Sequence, residues 1–316
     1  MNEWRKLTEE LANEGIFFQR KCAQLIKQAG WRVVSEESPV AFPPAKISSI
    51  ERMESITDIK AQCETFMIDN RFISVTSAVE CKQRNPKYRC WVFFEASETV
   101  TSHPCFLAYL IYDTERLDVE PKSVIVELGF PDLGYPLGDR QQIYSDKREI
   151  NRSDKSAKIC KNREGDSIYK ACKQVAVATK AFFHDEFDFA SKLHAIGAAL
   201  GIPYTVFIPI VLTAAELWVC KFDSTDISIK NGQLESSKVA YRRAPWLIYT
   251  FPLPSYLRPT PEKFIVHPDS QGREVLTKMD MFIVNSSHCL DFFEKLKKIG
   301  FDRQATLFGY PETRDR

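Results

Sequence analysis

Asp58, Glu80 and Lys82 are the residues whose types and spacing most directly suggest chemistry. Asp58 lies in "ESITDIKA" (54–61), and Glu80 and Lys82 lie in "VECKQ" (79–83). Residues 55–64 and 72–82 read as two strands, with "IDNR" (68–71) supplying the turn. Side chains alternate between the two faces of a strand, so Glu80 and Lys82 share a face with Ser74, Thr76 and Ala78. Ile73, Val75, Val79 and Cys81 make the opposite, core-like face. On the preceding strand Asp58 shares its face with Ile56 and Lys60. A turn centred on Asp69 pairs residues whose numbers sum to 138, twice 69, and so sets Asp58 opposite Glu80. Side chains placed that way are about 4.5–5.5 Å apart at Cβ. Two carboxylates at that spacing repel unless a cation lies between them. A hard divalent ion such as Mg²⁺ takes carboxylate oxygens at about 2.1 Å and keeps several waters. The Cys81 carbonyl is a further candidate ligand, and Lys82, one pleat on, reaches the water or a phosphate. Such an ion polarises a phosphate oxygen and acidifies its water. A neighbouring ammonium orients the nucleophile or stabilises transition-state charge. The expected chemistry is cleavage of a phosphodiester. The alternative is a set of ordinary strand charges on a solvated face.

The surrounding elements must position these groups. Residues 8–29 predict an amphipathic helix capped by Thr8, with Phe18, Cys22, Leu25, Ile26 and Ala29 on one face and Gly30 ending it. A strand at 31–34 and a proline-rich loop, "SPVAFPP", come next. "CWVFFEA" (90–96), "FLAYLIYD" and "SVIVELGF" read as further strands. "SDKREINRSDKSAKICKNREGD" reads as a solvated or mobile charged stretch. Residues 166–197 predict a helix, 204–212 and 216–221 strands, 245–254 another strand and 289–300 a last helix. The pattern is that of a mixed α/β protein.

With those elements in place, "GIFFQRKCAQLIKQAGWRVVSEESPV", "ESITDIKA", "VECKQ" and "WVFFEA" together resemble the PD-(D/E)xK superfamily of restriction-endonuclease-like nucleases over about residues 10–96. The resemblance implies a mixed β-sheet core flanked by helices, Asp58 and Glu80 as metal ligands and Lys82 as the catalytic lysine. It further implies an Mg²⁺ cofactor, with Mn²⁺ as a substitute. Residues 166–185 and 204–212 would complete the family core. The nuclease core then spans 1–222 with an insertion at about 97–165, and 223–316 form a C-terminal extension packed on it. Many members carry a glutamate on the first helix that helps hold metal; here Gln19 stands there, and Thr57 replaces the proline usual before the aspartate. DNA is the expected substrate, in restriction or anti-phage defence. Two further readings stay open: a catalytically inactive nuclease-fold module that binds nucleic acid or a protein, and an RNA-cleaving nuclease.

The other signals are weaker. Arg84, Lys87 and Arg89, with Tyr88 and Trp91 among and after them, suit a phosphate-contacting loop with a stacking ring, or a solvated loop. "HDEFD" (184–188) reads as an acidic helix end or loop, since a phosphohydrolase dyad needs more than the chain's 5 histidines offer. Arg242 and Arg243 read as surface arginines before a strand, and the adjacent His288 and Cys289 diverge. No P-loop, GxGxxG or GxSxG string occurs, so an ATPase or sensor would be a separate subunit; a homodimer is the other open partner. A net charge of +1 excludes a global basic field but not a local basic groove. With 44% hydrophobic residues the chain has material for a large core. It shows no leader or membrane-length apolar run, and its 9 cysteines lack zinc spacing. These features predict reduced thiols in the cytoplasm.

Overall fold

A computed structural model describes residues 8, 10–11, 15–42, 53–66, 72–83, 90–95, 104–110, 122–133, 143–151, 158–159, 167–196, 204–233, 235–258 and 277–301. Among these, a 14-stranded mixed sheet is covered by helices on both faces, which makes the protein mixed α/β. The chain enters through helix α1 (Ile16–Gln28), then strands β1 (Arg32–Phe42), β2 (Met53–Phe66) and β3 (Phe72–Lys82), each antiparallel to the one before. Long helix α2 (Ser167–Ala195) and strand β9 (Tyr204–Thr213) come later in the chain, and β9 lies parallel to β3. Between them run β4 (Cys90–Glu95), β5 (Cys105–Leu110), β6 (Lys122–Gly129), β7 (Ile143–Asn151) and β8 (Lys158–Ile159). The C-terminal region adds β10 (Glu216–Lys221), β11 (Ala240–Arg243), β12 (Trp246–Pro252), β13 (Lys278–Asn285), helix α3 (Cys289–Lys295) and β14 (Gly300–Phe301).

Helix α1 forms where the predicted apolar stripe lies. Cys22, Ile26 and Ala29 are buried, and Phe18 and Leu25 pack against the same cluster. Residues 8, 10 and 11 are helical too, as predicted, but α1 itself begins at Ile16, after Gly15 at φ 85. A residue with no Cβ holds that left-handed conformation without steric cost. Gly30, at φ 78, closes the helix, and a Cβ there would meet the Lys297 ammonium at 2.7 Å. Trp31 follows at once, buried, and its indole N–H donates to the Phe293 carbonyl at 2.8 Å. This bond ties the segment after α1 to helix α3.

β1 is longer than the predicted strand and includes the first part of the expected proline loop. Ser38, Pro39 and Val40 pair with Thr57, Ile56 and Ser55. The physical reason is position: β1 ends the strand order, and a residue without an N–H is tolerated on an edge. Of the charged stretch 145–166, residues 145–151 and 158–159 are strand, and the others lie outside the described residues. Residues 143–151 form β7, whose backbone pairs with both β4 and β12. Ladder pairing outweighs local polarity there. "HDEFD" (184–188) lies inside α2 rather than in a loop.

β9 organises the centre. One edge pairs with β3 along residues 205–213. The other edge is shared: β5 pairs with residues 204–207 and β13 with 210–213. Pro209, which has no N–H to donate, falls in the gap between those two partners. On one face of the sheet, Ile59, Val79, Ile210 and Phe282 pack with Ile26 of α1 and Phe292 of α3. On the other, Ala78, Phe207, Val211 and Phe251 pack with Val175 and Ala178 of α2. Residues 175–183 of α2 are all buried, the polar Thr179 and Lys180 included. Among the described residues no helix is long and apolar enough to cross a membrane.

Candidate metal centre

The observed β2–β3 register is the predicted one. Partners run from Phe66↔Phe72 to Ile59↔Val79, every pair summing to 138. Asp58 and Glu80 are the next residues beyond the last ladder pair. There the strands part, and the Asp58 carboxylate takes the place of a ladder carbonyl: its Oδ2 accepts from the Cys81 N–H at 2.6 Å. β3 itself continues beside β9 as far as Lys82↔Thr213, so Glu80 and Lys82 stay on a rigid strand while Asp58 sits at the mouth of the split.

Glu80 is buried, only 2% exposed. Its Oε1 receives the Lys82 ammonium at 2.5 Å, while its Oε2 is buried with no hydrogen-bond partner. An unpartnered buried carboxylate oxygen is costly and calls for an explanation. Burial pushes the Glu80 carboxyl up to about 7; Lys82 opposes this by its charge and hydrogen bond, and Asp58 adds to it. The Asp58 carboxyl is also raised, chiefly by burial; the Cys81 N–H and Lys82 pull it down, and Glu37 pushes it further up. Lys82 is held from a second side as well, donating to Gln174 Oε1 of α2 at 2.9 Å.

The structure thus brings Asp58, Glu80 and Lys82 to one place on the α2 face of the sheet. Gln19 is buried nearby, but its amide donates to the main-chain oxygen of Asp58 at 3.0 Å. Its observed contact therefore fixes the strand that carries Asp58. Cys81 turns its side chain to the α1 face, where a hydrogen bond with the Cys22 thiol, and then burial, hold its thiol protonated. Its main chain is what meets Asp58. Arg84, Lys87 and Arg89 lie outside the described residues. Trp91 does not serve as a stacking ring: it is 2% exposed and packs in the core beneath α2. Arg243 pairs with Glu216 at 3.2 Å and lies over the Trp218 ring.

Sequence reasoning passed over three contributors. Gln174 anchors Lys82 from a helix remote in the chain. Glu37 stands on β1 next to Asp58 and influences it electrostatically. Further along the same face, Glu186 of α2 binds Lys60 at 2.8 Å and accepts from Thr76 and Gln62. This second cluster borders a cleft of about 610 Å³ with Arg32, Tyr109 and Phe189 on its walls. Neither this cleft nor the small cavity at the β5–β13 fork, which holds Lys180 and Asp280, is lined by Asp58 or Glu80. A small hydrated ion needs no large cavity.

Among the described residues no group of three Asp, Glu, His or Cys side chains already encloses a metal position. The donor set nevertheless suits a hard cation. Mg²⁺ is commonly held by one or two carboxylates with water in its remaining positions, and Glu80 Oε2 is a buried oxygen in want of a positive partner. In comparisons with known proteins, no family model, curated protein or solved structure matches this chain.

Proposed function

We propose that this chain is a divalent-metal-dependent nuclease of restriction-endonuclease-like class, hydrolysing phosphodiester bonds in nucleic acid, with DNA as the expected polymer. The observation that carries the reading is the Glu80 side chain. It is 2% exposed, has one oxygen on Lys82 and leaves the other without a partner beside Asp58. The order of an early helix, a hairpin carrying Asp58 and Glu80-x-Lys82 and, after intervening strands, a further helix and strand supports it, being the order the resemblance implies.

Asp58 and Glu80 would hold Mg²⁺ or Mn²⁺, with the Cys81 main chain beside them. When bound, such an ion polarises a phosphate oxygen and makes water a stronger nucleophile at neutral pH. The chain supplies the rest. The Lys82 amine pairs with Glu80, from where it would orient the attacking water and offset the charge that builds on the phosphate oxygens. Gln174 limits where that ammonium can point. The Gln19 amide and the Cys81 N–H fix the backbone and the carboxylate of Asp58 respectively.

The direct test is incubation of the purified protein with plasmid, single-stranded DNA and RNA, each with Mg²⁺, Mn²⁺ or chelator. Cleavage that needs metal and disappears in Asp58→Ala, Glu80→Ala and Lys82→Ala supports the reading. Equal cutting by wild type and Lys82→Ala would sink it. Metal-independent nucleic-acid binding without cleavage would instead favour an inactive binding module. Any role in restriction or anti-phage defence depends on cleavage being found.

A further inference from the structure

The cleft beside Glu186 shares its floor with the metal centre. On β2, Asp58, Lys60 and Gln62 alternate onto the α2 face, and on β3 Glu80, Ala78 and Thr76 do the same. The ladder between the two strands runs unbroken from Ile59↔Val79 to Phe66↔Phe72. Lys60 and Gln62 line the cleft, and Gln62 stands about 14 Å along the strand from Asp58. The charged side chains on the walls balance: Arg32 and Lys60 against Glu64 and Glu186. The Glu186 carboxylate is held by Lys60 at 2.8 Å and accepts from Gln62 and Thr76. Ser74 and Thr205 add hydroxyls. Phe189 of α2 stands on the wall with its side chain largely open, 61% exposed.

We propose that this cleft receives an unpaired nucleobase of the strand whose phosphodiester lies at Asp58 and Glu80. The proposal rests on the nuclease reading above and deepens it, naming the substrate as a single strand or a duplex with an unpaired position. The walls select the ligand. Balanced charge favours a neutral group over an anion. Donors and acceptors side by side suit the edge of a base, and an open aromatic ring suits its face. About 610 Å³ is within the range of small-molecule sites and has room for a nucleoside. A base inside a duplex offers neither its face nor its pairing edge, so the strand must be single or locally opened. Arg32, exposed beside Gln62, is placed for a flanking phosphate. Because β2 and β3 carry both the cleft and the carboxylates, a continuous ladder rather than a loop sets the distance between them.

The test is fluorescence anisotropy with labelled oligonucleotides and Mn²⁺, in a Lys82→Ala background so that the strand is held but not cut. The probes are oligothymidylate, a perfect duplex, and oligothymidylates with a single abasic position moved along the strand. Each is titrated with the background protein and with Phe189→Ala and Phe189→Tyr added to it. Oligothymidylate is expected to bind more tightly than the duplex. Phe189→Ala should weaken it by about tenfold, and Phe189→Tyr should not. One abasic position should cost the Phe189 protein the same factor and cost Phe189→Ala nothing more, since both changes remove one contact. If Lys82→Ala binds no strand although wild type cuts, KM values of wild type and Phe189→Ala for the same probes give the comparison. Equal affinity of Phe189→Ala, with metal-dependent cutting by wild type, would show the proposal wrong and leave the nuclease reading standing. Tighter binding of the duplex overturns it as well. So does Phe189-dependent binding of thymidine monophosphate when oligonucleotide binding ignores Phe189, which would make the cleft a site for free nucleotide. If wild type neither binds nor cuts any nucleic acid, the nuclease reading fails and takes the proposal with it.

Discussion

The Asp58 carboxylate accepts the Cys81 N–H at 2.6 Å just where β2 and β3 stop pairing. One side chain thereby does two jobs. It caps a backbone donor that the parting strands would otherwise strand, and it holds a second oxygen near Glu80. The jobs are separable by substitution. Asp58→Asn keeps an acceptor for the N–H and removes the charge, so it should fold normally and lose metal-dependent cleavage. Asp58→Ala also leaves the Cys81 N–H unsatisfied, which costs about 1–3 kcal/mol. Urea denaturation of the two variants beside a cleavage assay checks this. Equal stability of the two would mean that the hydrogen bond carries no weight.

Gln174 is expected to act on the reaction through Lys82. The ammonium has two anchors, Glu80 Oε1 at 2.5 Å and Gln174 Oε1 at 2.9 Å. Gln174→Ala removes one and leaves Lys82 paired, so its direction loosens while its charge remains. The expected result is a fall in kcat of about tenfold, as for the loss of an outer-shell partner, with KM little changed. Steady-state kinetics on a short duplex reads the split. A change in KM alone would assign Gln174 to substrate binding instead.

Glu80 makes the metal-free protein sensitive to pH in a direction that can be worked out. Its folded carboxyl is raised to about 7 from an ordinary value of 4.5. Between those values the unfolded chain releases this proton more readily than the folded one. Stability from this group is therefore greatest below pH 4.5, declines as pH rises towards 7, and is level above it. The size is about 3 kcal/mol at most. Glu80→Gln should flatten the decline between pH 5 and 8 and melt higher than wild type at pH 8 without metal. Thermal melts across that range decide it; parallel profiles for the two proteins would show that Glu80 is ionised throughout.

How much of this was legible in the sequence depended on which forces set each piece. The hairpin register was, because alternating Ile73, Val75 and Val79 against Ile59, Ala61 and Cys63 leaves a single way to bury both apolar faces. The helix at 167–195 and the strand at 204–213 also lie close to their predicted places. Glu37 was hidden by the prolines after it, which read as loop although an edge strand accepts Pro39. Gln174 was hidden because its partner is 92 residues away, and no local pattern reports the docking of a helix over a strand. β7 was hidden by its charges, since its place comes from backbone pairing on both sides. Gln19 was noticed for the position it holds in the sequence, but its partner, a main-chain oxygen, is visible only in three dimensions.

The region beyond residue 222 should prove necessary for the fold of the site. β13 lies between β9 and β12 in the sheet, and its Met281, Phe282, Ile283 and Val284 are fully buried. It pairs with residues 210–213 of β9, the stretch that faces residues 79–82 of β3 across the ladder on its other edge. Removing it would expose an apolar edge of β9 directly behind the strand that carries Glu80 and Lys82, and would take away Phe292 and Phe293, which pack with Ile26 and Trp31 of the α1 region. An open apolar strand edge of this kind invites aggregation. A chain ending at residue 222 is therefore expected to be insoluble or to lack cooperative unfolding. Expression of that fragment, followed by circular dichroism and thermal melting, tests the claim. A soluble fragment with a sharp transition would show instead that the first 222 residues carry a self-sufficient core.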